Sequence, residues 1–166
     1  NTVTRNINVT AVNDASSLAA IEGAALAYTE NAGAAAITGT VTVSDVDDTN
    51  IESATVQITG NYANGEDVLA FTDTANISGN WDAASGTMTL TGSDTLANYQ
   101  AALRAVTYAN TSEDPSTLAR TVSFTVDDGT DPSNTVTRNI NLTAVNDASS
   151  LAAIEGAALA YTENAG

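Results

Sequence analysis

Acidic and amide side chains are clustered in short segments that fall at the expected ends of strands. The clusters are Asn13-Asp14, Glu30-Asn31, residues 45–48, Asp127-Asp128 with Asp131, and Asn146-Asp147. Carboxylate and amide oxygens are the hard ligands that calcium prefers. The segment DVDDTNIE, which begins at Asp45, does not follow the EF-hand pattern, because Asn50 occupies the glycine position and the glutamate is misplaced. A calcium site in this chain therefore has to be assembled from separate segments.

The charge balance excludes several classes of partner. The chain has 20 acidic residues against 4 basic ones and no histidine, so its formal charge is −16 at pH 7. Such a surface repels nucleic acids and anionic lipids, and we expect neither nucleic-acid binding nor membrane insertion. Two carboxylates about 4 Å apart also repel each other by roughly 4 kcal/mol at an effective dielectric constant of 20. The clusters therefore favour a bound cation.

The missing residue types argue against most catalytic sites. The sequence has no cysteine, lysine or histidine, which removes thiolate ligands, imidazole bases and Schiff-base amines. Glu66-Asp67 and Trp81-Asp82 have the residue types of a glycosidase pair, but isolated loop acids are common. We predict that the protein is not an enzyme.

The two ends of the chain carry the same sequence. Residues 1–33 recur at 134–166 with one change, Val9 to Leu142, so the repeat period is 133 residues. Such near identity implies a tandem array of similar units. The segment AVNDAS, at residues 11–16 and 144–149, is predicted to join consecutive units. The predicted parts are residues 1–14, the last strand and joint of a preceding repeat; 15–147, one complete unit; and 148–166, the first strand of the following repeat.

Alternating apolar and polar residues predict an all-β unit. The alternation is clear in five segments, whose apolar positions are Val41/Val43, Ala54/Val56/Ile58, Met88/Leu90, Val122/Phe124/Val126 and Val136/Ile140/Leu142. Turn pairs such as Asn64-Gly65 and Ser85-Gly86 separate the segments, which is typical of antiparallel strands packed as a sandwich.

One segment has helical spacing instead. Leu96, Tyr99, Leu103 and Val106 recur at helical intervals after Ser93-Asp94-Thr95, where a polar side chain is expected to cap the first turn. The sequence therefore predicts an antiparallel β-sandwich with one short helix.

Four segments resemble elements of the cadherin repeat, and they occur in the same order. TENAG resembles the PEN element, DVDD the DxD element, VDDGTDP the DxG element, and AVNDAS the linker between cadherin domains. The sequence is more closely similar to the cadherin-like repeats of giant bacterial surface adhesins of the RTX type, many of which are exported by type 1 secretion. The resemblance extends over the whole unit and implies a cadherin-like, immunoglobulin-like fold.

The resemblance also implies a set of calcium ligands. The upper site carried over from cadherins consists of Asn13, Asp14, Asp45, Asp47 and Asp128. The glutamate of the PEN element serves the lower joint, so the second set is Glu30 with Asn146 and Asp147, and Glu163 belongs to the following unit. The LDRE element of cadherins is absent and Ser149 replaces the usual linker proline, which implies fewer calcium ions per joint.

These inferences favour a mechanical function outside the cell. The expected protein is an extender repeat of a large bacterial adhesin or surface fibre, secreted or held at the cell surface, stiffened by calcium and supporting adhesion or biofilm. Its expected partners are neighbouring repeats and, through the end strands, other copies of itself. Two alternatives remain open: a carbohydrate-binding or ligand-binding module with Trp81, Tyr62 and Tyr99 as an aromatic platform, and a filament subunit joined by strand complementation.

Overall fold

A computed structural model describes residues 1–149, 151 and 156 of the chain. The described part contains eleven strands and one helix. In chain order these are β1 (Ser17–Ala19), β2 (Leu26–Thr29), β3 (Ala35–Ala36), β4 (Thr42–Ser44), β5 (Asn50–Gly60), β6 (Asp67–Ala70), β7 (Ser78–Asp82), β8 (Thr87–Thr95), α1 (Leu96–Ala105), β9 (Thr107–Asn110), β10 (Arg120–Asp127) and β11 (Val136–Thr143). Glu163 and most of the predicted first strand of a following repeat, 148–166, lie outside the described residues.

The larger layer is a six-stranded sheet in the order β2-β11-β10-β5-β8-β7, and the smaller elements are a three-stranded sheet, β3-β9-β6, and a β1-β4 ladder. One hydrophobic core is shared by both sheets, the ladder and α1. This sandwich-like, mostly β arrangement with one helix agrees with the prediction. The antiparallel prediction is wrong for one pair, since β2 and β11 run parallel. Nearly the whole unit lies between these two strands, so no hairpin forces them to be antiparallel.

The predicted alternation determines which face of each strand is buried. In β10, Val122, Phe124 and Val126 are buried while the residues between them are partly exposed. In β11, Ile140 and Leu142 face the same core. Burying each such side chain contributes about 1.5–3 kcal/mol. The core-facing strands therefore hold the two ends of the unit in fixed relative positions.

Helix α1 begins where the sequence predicts it. Thr95 is the N-cap, and its hydroxyl oxygen accepts a hydrogen bond from the backbone amide of Asn98. Tyr99 and Leu103 are buried against the sheet, and the Tyr99 hydroxyl donates to the carbonyl oxygen of Gly92 at 2.6 Å. The buried Tyr99 ring is therefore not available for an exposed aromatic platform.

A buried ion pair joins the two sheets, since Asp67 lies in β6 and Arg120 in β10. Asp67 and Arg120 are both buried, with Nε of Arg120 2.9 Å from Oδ2 of Asp67. Oδ1 of Asp67 accepts hydrogen bonds from the Tyr108 hydroxyl and the Asn110 amide. Burial, together with this carboxylate, raises the pKa of Tyr108. Asp67 is thus an internal structural group rather than one of two acids facing a sugar cleft.

Residues 1–16 form no strand in the described structure. Their apolar side chains are exposed; Ile7 and Val9, for example, are 83% and 89% exposed. Almost the same sequence forms β11 at 136–143, where β10 and β2 supply partners on both sides. Pairing, rather than local sequence, therefore decides whether this segment is a strand.

Within the described part of the chain, the one helix is too short and too polar to cross a membrane.

Candidate metal centres at the two ends of the unit

Strand pairing brings three separate acidic segments together at one end of the unit. Residues 45–48 follow β4, Asp127 is the last residue of β10 and Asp128 comes directly after it, whereas residues 13–16 precede β1. Because Ser17 of β1 lies opposite Ser44 of β4, Ser16 reaches Asp45. The Asn13 side-chain amide donates to Oδ2 of Asp128 at 3.2 Å. We name Asn13, Asp14, Asp45, Asp47, Asp48 and Asp128 the upper cluster.

Asp45 is the organising residue of the upper cluster. Its Oδ2 accepts a hydrogen bond from the Ser16 hydroxyl at 2.6 Å, and its Oδ1 accepts from the backbone amides of Asp47 and Asp48 at 3.0 and 2.9 Å. These hydrogen bonds, that from Ser16 foremost, lower the pKa of Asp45 to about 2. Asp45 therefore holds the turn at 45–48 as an ionised group.

Asp47 and Asp128 of the upper cluster differ in how strongly their surroundings stabilise the ionised carboxylate. Desolvation by the surrounding chain, together with repulsion from Asp45 and Asp14, raises the pKa of Asp47. The backbone amide of Asp14 donates to both oxygens of Asp47, at 3.3 Å each. Hydrogen bonds from the backbone amides of Asp131 and Thr130 lower the pKa of Asp128. The surroundings thus disfavour the ionised form of Asp47 and favour that of Asp128.

All five residues predicted for the upper site lie at this end of the unit. The carboxylate oxygens that approach within 4.8 Å of one another belong to Asp45, Asp47 and Asp48, whereas Asp14 and Asp128 are linked to the cluster through hydrogen bonds. The sequence prediction did not include Asp48 among the ligands. Its place beside Asp47 in the acidic run was the available signal.

The opposite end of the unit holds a second acidic group. Carboxylate oxygens of Glu30, Glu113 and Asp147 lie within 4.8 Å of one another, and we name these three residues the lower cluster. Glu30 follows β2, which pairs in parallel with β11, so both strands end at the same edge. The backbone amide of Glu30 donates to the carbonyl oxygen of Thr143 at 2.9 Å. Pairing of the first and last strands thus brings Glu30 to the joint.

One carboxylate oxygen of Glu30 accepts no hydrogen bond from the described part of the chain. The residue is only 5% exposed, and its Oε2 accepts a hydrogen bond from the backbone amide of Val145 at 2.7 Å. Its Oε1 is buried and has no hydrogen-bond partner in the described part of the chain. A buried carboxylate oxygen without a partner is unfavourable by about 1–3 kcal/mol or more, so this position calls for a cation or another donor.

The predicted approach of Glu30 to Asp147 is present, but the third member of the lower cluster was not predicted. Glu113 lies in the loop between β9 and β10, and its Oε2 accepts a hydrogen bond from the Asn31 side chain at 3.3 Å. No motif surrounds Glu113, and only the fold brings it to Glu30. The predicted ligand Asn146 lies beside Asp147, and its side-chain amide donates to the carbonyl oxygen of that residue at 3.3 Å.

The two clusters lie at opposite ends of the six-stranded sheet. Strand β11 starts next to the upper cluster, where the Asn134 side chain accepts a hydrogen bond from the Leu18 backbone amide, and ends at Thr143 beside Glu30. The nine-residue rise from Asn134 to Thr143 corresponds to about 30 Å. The sequence AVND occurs at both ends, as residues 11–14 and 144–147.

No family model, curated protein or solved structure matches this chain. What the two clusters bind is therefore inferred from their geometry.

The predicted aromatic platform of Trp81, Tyr62 and Tyr99 loses one of its three residues, since Tyr99 is buried. Tyr62 and Trp81 pack edge to face with ring centroids 6.2 Å apart, and the Tyr62 hydroxyl donates to the carbonyl oxygen of Ala83. Their contact stabilises the β7–β8 turn.

Proposed function

We propose that this chain is an extender repeat of a large extracellular bacterial adhesin or surface fibre, with calcium stiffening the joints between repeats. Its finer fold class in this proposal is a cadherin-like, immunoglobulin-like sandwich. Such an array projects a binding region away from the cell and supports adhesion or biofilm. The proposal rests on the acid clusters at the two ends of the unit and on the repeated joint sequence.

The unsatisfied Oε1 of Glu30 is the observation that carries the calcium part of the proposal. It is buried beside two further carboxylates, those of Glu113 and Asp147. Three negative groups this close repel each other, and a cation converts that repulsion into attraction. Calcium accepts six to eight oxygen ligands, whereas the lower cluster brings together one oxygen from each of three carboxylates, so further ligands have to come from elsewhere.

The repeat period supplies those further ligands. Asn146-Asp147 stand one period after Asn13-Asp14, so in an array they belong to the upper cluster of the next unit. Each joint then collects Glu30, Glu113 and Asp147 from one unit and the counterparts of Asp45, Asp47, Asp48 and Asp128 from the following unit. This oxygen-rich set suits calcium, and binding it fixes the angle between two otherwise hinged units.

A two-unit chain, made by extending this sequence by one further 133-residue period, tests the proposal because it contains one complete joint. Calcium is titrated after EGTA treatment while thermal unfolding and the radius of gyration are followed. For dissociation constants of about 10–100 μM, calcium at about 1 mM adds roughly 1.4–2.7 kcal/mol per site. We expect a higher unfolding midpoint and a more extended particle.

Variants separate joint binding from general screening of charge. Asp47→Asn with Asp48→Asn in the second unit keeps the backbone contacts to Asp45 and removes two ligands, so the calcium response should fall at least fivefold. Asp73→Asn is the matched control, because Asp73 is an exposed acid outside both clusters whose contact is to the Gly79 amide. An unchanged response in the joint variant, or none in the parent chain, would contradict the proposal.

A further inference from the structure

A groove lies between helix α1 and the loop that joins β6 to β7, and we name it the α1 groove. Its volume is about 350 Å³, within the range of roughly 300–1,000 Å³ that is usual for small-molecule sites. The loop forms one wall, one face of α1 forms the other, and Asp94 lies at the N-terminal end of the helix. None of the lining residues belongs to the upper cluster, the lower cluster or the predicted aromatic platform.

The loop wall of the α1 groove is held in place by the protein itself. The Thr74 hydroxyl accepts hydrogen bonds from the backbone amides of Asn76 and Ile77 at 3.4 and 3.0 Å, and the Ile77 side chain is buried. Gly92 lets the loop approach β8 closely, because a Cβ at this position would fall on the carbonyl oxygen of Asn76. The groove is therefore preformed, and a ligand binds without first having to order the loop.

One carboxylate in the α1 groove is buried and has neutral partners. Asp94 is 9% exposed. Its Oδ1 accepts hydrogen bonds from the Asn98 side-chain amide at 2.7 Å and the Thr95 backbone amide at 2.8 Å, and its Oδ2 accepts a long one of 3.4 Å from the Asn76 side chain. These hydrogen bonds, that from Asn98 foremost, lower the pKa of Asp94. Neither ion pair among the described residues includes this carboxylate, so its charge favours a cationic ligand.

The polar end of the groove suits an organic cation better than a metal ion. Calcium binds several carboxylates at once, and no group of three acids within the described ranges includes Asp94. A primary ammonium has three N–H donors. The groove offers Oδ2 of Asp94 together with the side-chain carbonyl oxygens of Asn76 and Asn98, whose amide groups already donate to Asp94. An ammonium thus finds acceptors for its hydrogen bonds and a compensating charge.

The helix wall of the groove is apolar. Below Asn98, the lining residues of α1 are Ala101, Ala102 and Ala105, whose small side chains leave room beside the helix. The face from Asn98 to Ala105 is about 10 Å long, which matches an alkyl chain of about five carbons. The partly buried ring of Phe71 lies in the loop wall. Methylene groups between these walls would be removed from water, as the stems of long cationic side chains are.

We propose that the α1 groove binds a small alkylamine, with its ammonium on Asp94 and its methylene groups along the alanine face of α1. The ligand does not come from another copy of this chain through a lysine side chain, because the sequence contains no lysine. The formal charge of −16 attracts cations to the whole surface, and the groove selects those with an apolar chain. This binding goes beyond the extender role and does not involve calcium.

Titration of n-pentylamine into the full chain, followed by ¹H–¹⁵N NMR spectra, tests the proposal. The buffer contains EGTA and about 150 mM NaCl, which screens the general attraction between amines and an acidic surface. We expect a Kd of about 1 mM for a ligand of this size, with chemical-shift changes confined to residues 71–77 and 94–105. 1-Pentanol has the same shape without the charge and should bind about tenfold more weakly or worse. Equal binding by 1-pentanol, or by a neutral sugar such as methyl glucoside, would overturn the proposal.

Three variants locate the binding. Asp94→Asn removes the charge but keeps an oxygen for the hydrogen bond from Asn98, and it should weaken binding about tenfold or more. Asp114→Asn makes the same change in charge at an exposed acid outside the groove and should leave binding unchanged. Ala101→Leu fills the groove from an exposed helical position, so it should weaken binding to a similar degree without lowering the unfolding midpoint. It also decides the matter if Asp94→Asn does not fold.

Two further results would contradict the proposal. One is a set of chemical-shift changes spread over the two acid clusters, or binding that survives Ala101→Leu, because the amine would then be held by the acidic surface in general. The other concerns the source of the ammonium. N-acetyl-lysine methylamide carries the same group on a blocked amino acid, and binding about tenfold tighter than that of pentylamine would assign the groove to a lysine side chain of a partner protein. Because EGTA is present throughout, none of these results bears on the calcium joints.

Discussion

Replacing Glu30 with glutamine should change the stability of the protein in opposite directions with and without calcium. The substitution removes one charge from the lower cluster but keeps a carbonyl oxygen that can accept the hydrogen bond from Val145. The new amide group can donate to Glu113 or Asp147, whose carboxylate oxygens lie within 4.8 Å. Glu30→Gln should therefore relieve repulsion in the metal-free protein and weaken the proposed calcium site in the complete joint.

The expected size follows from the distances in the lower cluster. Two unit charges at this separation repel by roughly 3.5 kcal/mol at an effective dielectric constant of 20. Glu113 and Asp147 are exposed, so solvent and salt screen much of this repulsion. We expect Glu30→Gln to raise the free energy of unfolding by about 1–2 kcal/mol in EGTA. That corresponds to a midpoint higher by roughly 4–8 °C for a unit of this size.

Calorimetry of the full chain in EGTA tests the first half of this prediction, and calorimetry of the two-unit chain in calcium tests the second. In calcium, the variant should be less stable than the parent chain because it retains little of the calcium-dependent gain. Asp114→Asn is the control, as it makes the same change in charge next to Glu113 but outside the lower cluster. If Glu30→Gln lowered the midpoint in EGTA, the repulsion inferred for the lower cluster would be refuted.

Two further substitutions test the packing of the unit and its upper cluster. Ser16→Ala should lower stability by about 1 kcal/mol at pH 7. Because the folded pKa of Asp45, about 2, is below its ordinary value of 3.8, the ionised Asp45 stabilises the fold at neutral pH, and that contribution is lost as the pH falls through about 2. Urea unfolding should therefore show that the difference in free energy of unfolding between the parent chain and Ser16→Ala narrows between about pH 4 and pH 2. A difference that stays constant would contradict the role assigned to the Ser16–Asp45 hydrogen bond. Gly92→Ala should lower the free energy of unfolding by more than about 3 kcal/mol, because Gly92 has a φ of +120° and an added Cβ would fall on the carbonyl oxygen of Asn76. Gly65 has a φ of +87° but open space around it. Gly65→Ala should therefore lower the free energy of unfolding much less in the same thermal unfolding assay.

The regular elements were predictable because their signals are local. Phe124 and its neighbours alternate with polar residues, and this period of two is what a half-buried strand requires. Helix α1 was predictable for a related reason, since Thr95 supplies a capping hydroxyl directly before the helical spacing begins. Each of these signals lies within about ten residues of sequence.

The features that the sequence did not predict depend on distant parts of the chain. Glu113 reaches Glu30 only because the loop after β9 passes the end of β2, and no local pattern encodes that approach. The parallel pairing of β2 with β11 joins residues more than a hundred positions apart. Segment 1–12 was predicted as the last strand of a preceding repeat, and its sequence alone does not state which sheet supplies the neighbours that a strand needs.

The parallel pairing of β2 and β11 determines how the unit carries a pulling force. In an array, tension enters at residues 13–16 and leaves after Thr143, so it draws β2 and β11 lengthwise in opposite directions. The hydrogen bonds between parallel strands are evenly spaced along the ladder, and a lengthwise pull loads them together rather than one after another. Such a shear geometry resists rupture much better than a hairpin opened from its free end. Tensile strength is thus built into the pairing of the four-residue strand β2 with the last strand of the unit.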